Sequence, residues 1–198
     1  MFFRVYLFCL CIGLVGPLAA AEHPDQRPSI ERLRQGGLVI FFRHTQTVHS
    51  EQDSPTLDLS RCETQRNLST EGRKQAQLIG QAFQQMSIPI GEVLSSPFCR
   101  CLDTAQIAFG QAKSLPYLYY ALGLHRTNRE EITTQLRQLM TKPIAMGENR
   151  IIISHSANLQ EAMGIWPDPE GVAWVFEPHE KGLKTLGKIH PQQWLELH

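Results

Sequence analysis

Two short, unbroken apolar runs stand out along the chain: Leu38-Val39-Ile40-Phe41-Phe42 and Ile151-Ile152-Ile153. Runs of this length without alternation predict strands buried on both faces. Each stops abruptly at chemically capable residues, Arg43-His44 after the first and Ser154-His155 after the second. Around them the apolar period changes from strand to helix. Ala76, Ile79, Gly80 and Phe83 recur at helical spacing behind a cap at Ser69 or Thr70. Val93-Leu94 reads as a short strand, and Ser95-Ser96-Pro97 as a turn opening a helix with Arg100, Thr104 and Ile107. A short helix over 29–34, capped by Ser29, stops at Gly36-Gly37; residues 128–140 and 158–163 give further helices. Residues 173–176 and 183–189 read as terminal strands joined by a turn near 180–182.

Strands alternating with helices predict an α/β fold, a three-layer sandwich with a largely parallel central sheet flanked by helices. In such sheets ligands sit beyond the carboxyl ends of the strands. The polar stretch 45–67 is long for a connection in a compact domain, which marks it as functional or mobile.

The first 21 residues follow a different logic. One cation, Arg4, precedes an apolar run over 5–15, then Gly16, Pro17 and the small residues Ala19, Ala20 and Ala21. This is the pattern of a cleaved secretory signal peptide, with 22–198 as a single mature domain. The run falls short of the ~20 apolar residues that span a bilayer, so no stable membrane insertion is expected after cleavage. The expected location is periplasmic or secreted.

Charge adds little. Lys+Arg and Asp+Glu number 19 each in the 198 residues, and removing Arg4 leaves 18 cations against 19 anions. That balance argues against a nucleic-acid partner. Cys62, Cys99 and Cys101 remain after removal of the signal, and in an oxidising compartment Cys62 pairs best with Cys99 or Cys101, because the latter two are too close to bridge each other easily. A zinc site using these thiolates with His44 or His49 is the weaker alternative, since C-x-C lacks the paired spacing of structural zinc sites.

The chemistry concentrates at strand ends. Arg43-His44, Ser95-Ser96-Pro97 leading to Arg100, and Ser154-His155-Ser156 would meet at one crevice of an α/β sheet. Two guanidinium groups suit a phosphate, because the planar donor fork pairs with two of its oxygens. A neutral imidazole can attack phosphorus and hold the group covalently.

Phe42-Arg43-His44-Thr45-Gln46-Thr47 resembles the R-H-G-x-T signature of the histidine phosphatase superfamily, which includes the phosphoglycerate mutases. The resemblance continues through Leu68-Ser69-Thr70-Glu71-Gly72-Arg73, through Ser95-Ser96-Pro97-Phe98-Cys99-Arg100, and through Ser154-His155-Ser156. It implies a phosphoglycerate-mutase-like fold and a metal-independent phosphomonoesterase of the histidine acid phosphatase type, without cofactor. His44 would become phosphohistidine, Arg43, Arg100 and His155 would hold the phosphoryl oxygens, and Thr47 would position the loop or touch phosphate. The substrate would be small and phosphorylated.

Two positions depart from the family pattern. Thr45 stands where the family has glycine, bringing a Cβ into a tight turn. Ser156 follows the second histidine, where some members carry the acid that protonates the leaving group; the other family position for that acid points to Glu131, with Glu130 beside it. Carboxylates near a helix start are also favoured by the helix dipole, with no catalytic part. The alternative reading is therefore a weakly active or non-catalytic binder of phosphate-containing ligands. Tyr119, Tyr120 and Trp166 are available either to stack on a sugar or base or to pack on the sheet edge.

Overall fold

The computed structural model describes residues 27–123 and 125–196, so the expected signal peptide lies outside the described residues. Eleven helices and strands follow in order: α1 (Ile30–Gln35), β1 (Val39–Arg43), α2 (Thr70–Gln85), β2 (Ile90–Ser95), α3 (Cys99–Phe109), β3 (Lys113–Ser114), α4 (Arg126–Thr141), β4 (Asn149–Ser154), α5 (Ser156–Met163), β5 (Ala173–His179) and β6 (Gly182–Ile189). Among the described residues, no helix is long and apolar enough to cross a membrane.

The strands form one sheet in the order β3-β2-β4-β1-β5-β6. Its first four members run parallel, and β5 and β6 close the far edge antiparallel. β1 sits between β4 and β5, with Phe42 opposite Ile153 and Arg43 opposite Ser154. A strand with neighbours on both sides and helices over both faces must be apolar throughout, as both unbroken runs are.

The pleat divides those runs between two cores. Ile40, Phe42, Ile151 and Ile153 face Leu33 of α1, Ile79 and Phe83 of α2, and Ala105 of α3. Val39, Phe41 and Ile152 face Leu136 and Leu139 of α4 and Leu159 of α5. Helices thus cover the sheet on both sides, giving the three layers that the sequence predicts.

Local details shift some boundaries. α3 starts at Cys99 with Phe98 as its cap residue, and Pro97 lies in the preceding bend rather than in the first helical turn. α4 starts two residues earlier than its periodicity suggests, at Arg126. The two-residue β3 has no periodic signal of its own and forms only by pairing with Leu94 and Ser95. The N-terminus of α2 is fixed twice: Ser69 Oγ accepts from Gly72 N at 3.0 Å, and Gly72 lies so close to Gln46 that a Cβ there would collide with the Gln46 carbonyl.

Candidate active site

His44 and His155 leave the carboxyl ends of adjacent parallel strands. Ladder bonds extend past those ends, with His44 N donating to Ser154 O at 3.1 Å and Ser96 N to Ile153 O at 2.9 Å. The two imidazole rings meet edge to face at 5.5 Å between centroids. Beside them opens a cavity of about 280 Å³, lined by Arg43, Arg66, Arg100, His44, His155 and Ser156, with Glu51, Gln52 and Asp53 from the long loop and Tyr120 and Trp166 at its edge.

The state of His44 follows from its contacts. Its Nδ1 lies 3.0 Å from Thr45 O. A carbonyl can only accept, so Nδ1 carries the proton and Nε2 keeps its lone pair. Burial, then the charge of Arg100, pushes the imidazole down to about 3, despite opposing effects of the Thr45 carbonyl and Glu170. His44 is therefore neutral at physiological pH, as a nucleophile must be. Burial and Arg100 likewise hold His155 well below its ordinary value. Its Nε2 lies 2.8 Å from Ser96 Oγ, and its ring packs against Phe98 and Tyr120.

Carboxylates hold both guanidinium groups, Glu170 from behind the cavity and Asp53 from within its lining. Arg43 donates to Asp168 Oδ1 at 2.9 Å and to Glu170 Oε1 at 3.3 Å. Arg100 is buried, its guanidinium 4.3 Å from the centroid of the Phe98 ring, with Nη1 and Nη2 on Asp53 Oδ1 and Oδ2 at 2.9 and 3.2 Å. Each arginine also has an Nε with no acceptor among the described residues. Glu170 collects donors: Thr47 N and Oγ1 at 2.9 Å each, and His49 Nε2 at 3.0 Å. Burial alone would raise its carboxyl, but the Thr47 N–H, His44, His49 and the Thr47 hydroxyl together bring it down to about 2.

This arrangement of a free imidazole nitrogen, two arginines and a second imidazole at the ends of parallel strands is matched in sequence. The histidine phosphatase superfamily (branch 1) matches residues 39–121, the span that contains Arg43, His44 and Arg100. Over that span the chain is similar to the histidine phosphatase superfamily. No curated protein matches it. Among solved structures, the protein histidine phosphatase SixA complexed with tungstate is similar at 16% identity and TM-score 0.56, covering 79% of this chain and 98% of that one. The phosphoserine phosphatase of Entamoeba histolytica in complex with 3-phosphoglyceric acid is similar at 13% identity and TM-score 0.58, again covering 79% and 98%. These likenesses show that the chain shares the α/β fold of those structures.

Measured against the superfamily resemblance, the structure brings together Arg43, His44, Arg100 and His155. It does not bring Thr47 to the cavity, because its N–H and hydroxyl both donate to Glu170. Thr47 thus orients the carboxylate behind Arg43 instead of touching the cavity. Glu131 is also elsewhere. It is exposed on α4, which packs on the sheet face away from α2 and α3, and borders a surface pocket with Pro116 and Tyr117 while accepting from Gln135. Glu130, one residue earlier, pairs with Arg126 in solvent. Neither carboxylate lines the cavity with His44.

Cys62 and Cys99 form the disulfide, and Cys101 is a buried free thiol. Residues two apart on a helix point about 200° away from each other. Cys99 therefore faces the loop while Cys101 faces inward, its Sγ 3.7 Å from His155 Nε2 and its thiol pushed up to about 12 by burial. The bridge consumes two of the three thiolates on which the zinc alternative drew. Thr45 fits without a left-handed backbone, since Ser87 is the sole positive-φ residue other than glycine among those described. Its N–H and hydroxyl contact Thr104 Oγ1 at 3.2 and 3.1 Å, which ties the turn after β1 to α3.

The sequence reading missed Asp53, Arg66 and Glu170. Each lies in an irregular segment rich in polar residues, where a charged side chain is solvated by default and no periodicity marks the exception. The length of the 45–67 loop was the one signal that pointed at two of them.

Proposed function

We propose that the protein is an exported, metal-independent phosphomonoesterase that works through a phosphohistidine on His44. The observation carrying this reading is the Nδ1 contact of His44 with Thr45 O, which leaves a neutral Nε2 lone pair in a cavity shared with Arg43, Arg100 and His155. Nε2 attacks phosphorus as the bond to the leaving oxygen breaks. The guanidinium groups and His155 stabilise the equatorial oxygens, whose charge is spread in the transition state. Water then attacks the phosphohistidine and releases inorganic phosphate. The cavity lies at the small end of the range for ligand pockets, which favours a phosphomonoester with a compact organic group.

The test is a rapid quench with a ³²P-labelled phosphomonoester. The quench is denaturing and alkaline, because phosphohistidine is lost in acid. Wild-type protein is expected to carry label that turns over, and His44→Ala to carry none and to hydrolyse nothing. Absence of both label and turnover in the wild type would leave the ligand-binding alternative. Export is tested separately by cell fractionation and N-terminal mapping, with a mature start near residue 22 expected.

A further inference from the structure

Asp53 grips Arg100 as a phosphate would. Both of its carboxylate oxygens accept from the two Nη atoms of Arg100 at 2.9 and 3.2 Å, and Oδ1 also accepts from Arg66 N at 2.9 Å. The same planar fork binds two oxygens of a carboxylate or of a phosphate, and Arg100 Nη1 has its remaining contact on Arg66 O. A phosphate can engage the Nη face of Arg100 only if Asp53 lets go. Asp53 is partly exposed, whereas the Arg100 side chain is 3% exposed, so the carboxylate is the partner able to move.

The second observation concerns what else lines the cavity. Its carboxylates are Asp53 and Glu51, because Glu170 is turned to Thr47, His49 and Arg43 behind it. Glu51 is exposed, and Asp53 stands directly at the arginine that would receive the phosphoryl group.

We propose that Asp53 is an exchangeable counterion of Arg100 and, once displaced by substrate, the proton donor to the leaving group. This rests on the phosphohistidine reading of His44. In this scheme the displaced Asp53 carboxylate takes the proton of the substrate monoanion before the chemical step. In the first step the His44 Nε2–phosphorus bond forms and the phosphorus–oxygen bond breaks. The electron pair leaves with the oxygen, which receives the Asp53 proton. In the second step water attacks phosphorus, the nitrogen–phosphorus bond breaks with its pair returning to Nε2, and the proton of the water passes to Asp53. Phosphate departs with that proton as its monoanion, and the Asp53 carboxylate returns to Arg100.

The experiment compares wild type, Asp53→Asn and Glu51→Gln on 4-nitrophenyl phosphate and on glycerol phosphate, with inorganic phosphate as a competitive inhibitor. Protonation matters most for the poor alkoxide leaving group. Asp53→Asn is expected to lower kcat/KM, which covers the steps up to departure of the leaving group, about 10²-fold or more for glycerol phosphate and only a few-fold for the aryl ester. Inorganic phosphate should bind it several-fold more tightly, because no carboxylate competes for Arg100. Labelling of His44 by the aryl ester in the variant separates this outcome from misfolding. Equal losses on both esters, weaker phosphate binding in Asp53→Asn, or the leaving-group effect appearing in Glu51→Gln instead would each overturn the proposal. If wild-type protein neither turns over nor labels, the phosphohistidine reading fails and the proton-donor half falls with it. Calorimetric titration of wild type and Asp53→Asn with inorganic phosphate then decides the exchange half alone.

Discussion

Arg100 offers five N–H donors in one plane, and a buried position leaves it few partners to choose from. The charge could be supplied by lysine, but the fork could not. Arg100→Lys is therefore expected to lower kcat/KM on an aryl phosphate by about 10²-fold, the scale of losing a preorganised donor to the transition state. Steady-state kinetics with a circular dichroism check on folding would test it, and a change of less than threefold would place the phosphate away from Arg100. His44, Arg43, Arg100 and His155 were legible as candidates because each ends or follows a strand, or opens a helix after one, where an α/β sheet collects its ligands. Whether Thr47 positions the loop or touches phosphate was not legible, for a physical reason. Its sequence position beside the nucleophile says nothing of Glu170, 123 residues later, whose carboxylate captures the Thr47 N–H and hydroxyl.

The element that decides the cavity is the loop between β1 and α2, whose regular structure is a single bridge between Thr47 and Leu68 and a short 3-10 turn at Cys62–Thr64. Its path is set by specific ties: Cys62 to Cys99 at the start of α3, Cys99 N to Gln65 Oε1 at 2.9 Å, and Asp53 to Arg100. Apolar periodicity made the strands and helices legible because burial on one face repeats with the element's own period. The loop escapes that logic, since side-chain hydrogen bonds and one covalent bridge hold it. Sequence reading left Cys99 and Cys101 open as partners, and the turn of α3 resolves the choice. Replacing both Cys62 and Cys99 by alanine is expected to cost about 2–4 kcal/mol in urea unfolding, as for other native bridges over loops of this size. KM should rise more than kcat falls, because the loop carries Asp53 and Arg66 whereas His44 and His155 are fixed to the sheet. Peptide mapping without reductant should find the Cys62–Cys99 linkage and a free Cys101. An unchanged urea midpoint would show that the loop does not depend on the bridge.

At the scale of the whole molecule, a chain with as many acidic as basic residues concentrates buried ionisable groups at one end of its sheet. Folding must keep two of them, His44 and His155, neutral, and that requirement makes the site a determinant of global stability. The unfolded chain binds protons on these imidazoles below about pH 6.5, whereas the folded chain refuses one on His44 until about pH 3. Unfolding therefore takes up protons as the pH falls through this window, and the folded state loses stability on the acid side by about 1.4 kcal/mol per pH unit for each such histidine. Above pH 6.5 both states are neutral at His44 and its contribution is flat. Glu170 acts in the same direction at lower pH. Its folded value of about 2 lies below the ordinary 4.5, so the stability it provides is complete above 4.5 and is lost as the pH drops toward 2. His44→Gln removes one titrating imidazole from the buried pair. Urea unfolding at pH 7, 6, 5 and 4 should give wild type the steeper fall between pH 6 and 4, by about one proton, with His44→Gln gaining on it as the pH drops. Parallel curves across that range would mean that His44 is already protonated in the folded protein, and the neutral nucleophile on which the phosphohistidine chemistry depends would not exist at those pH values.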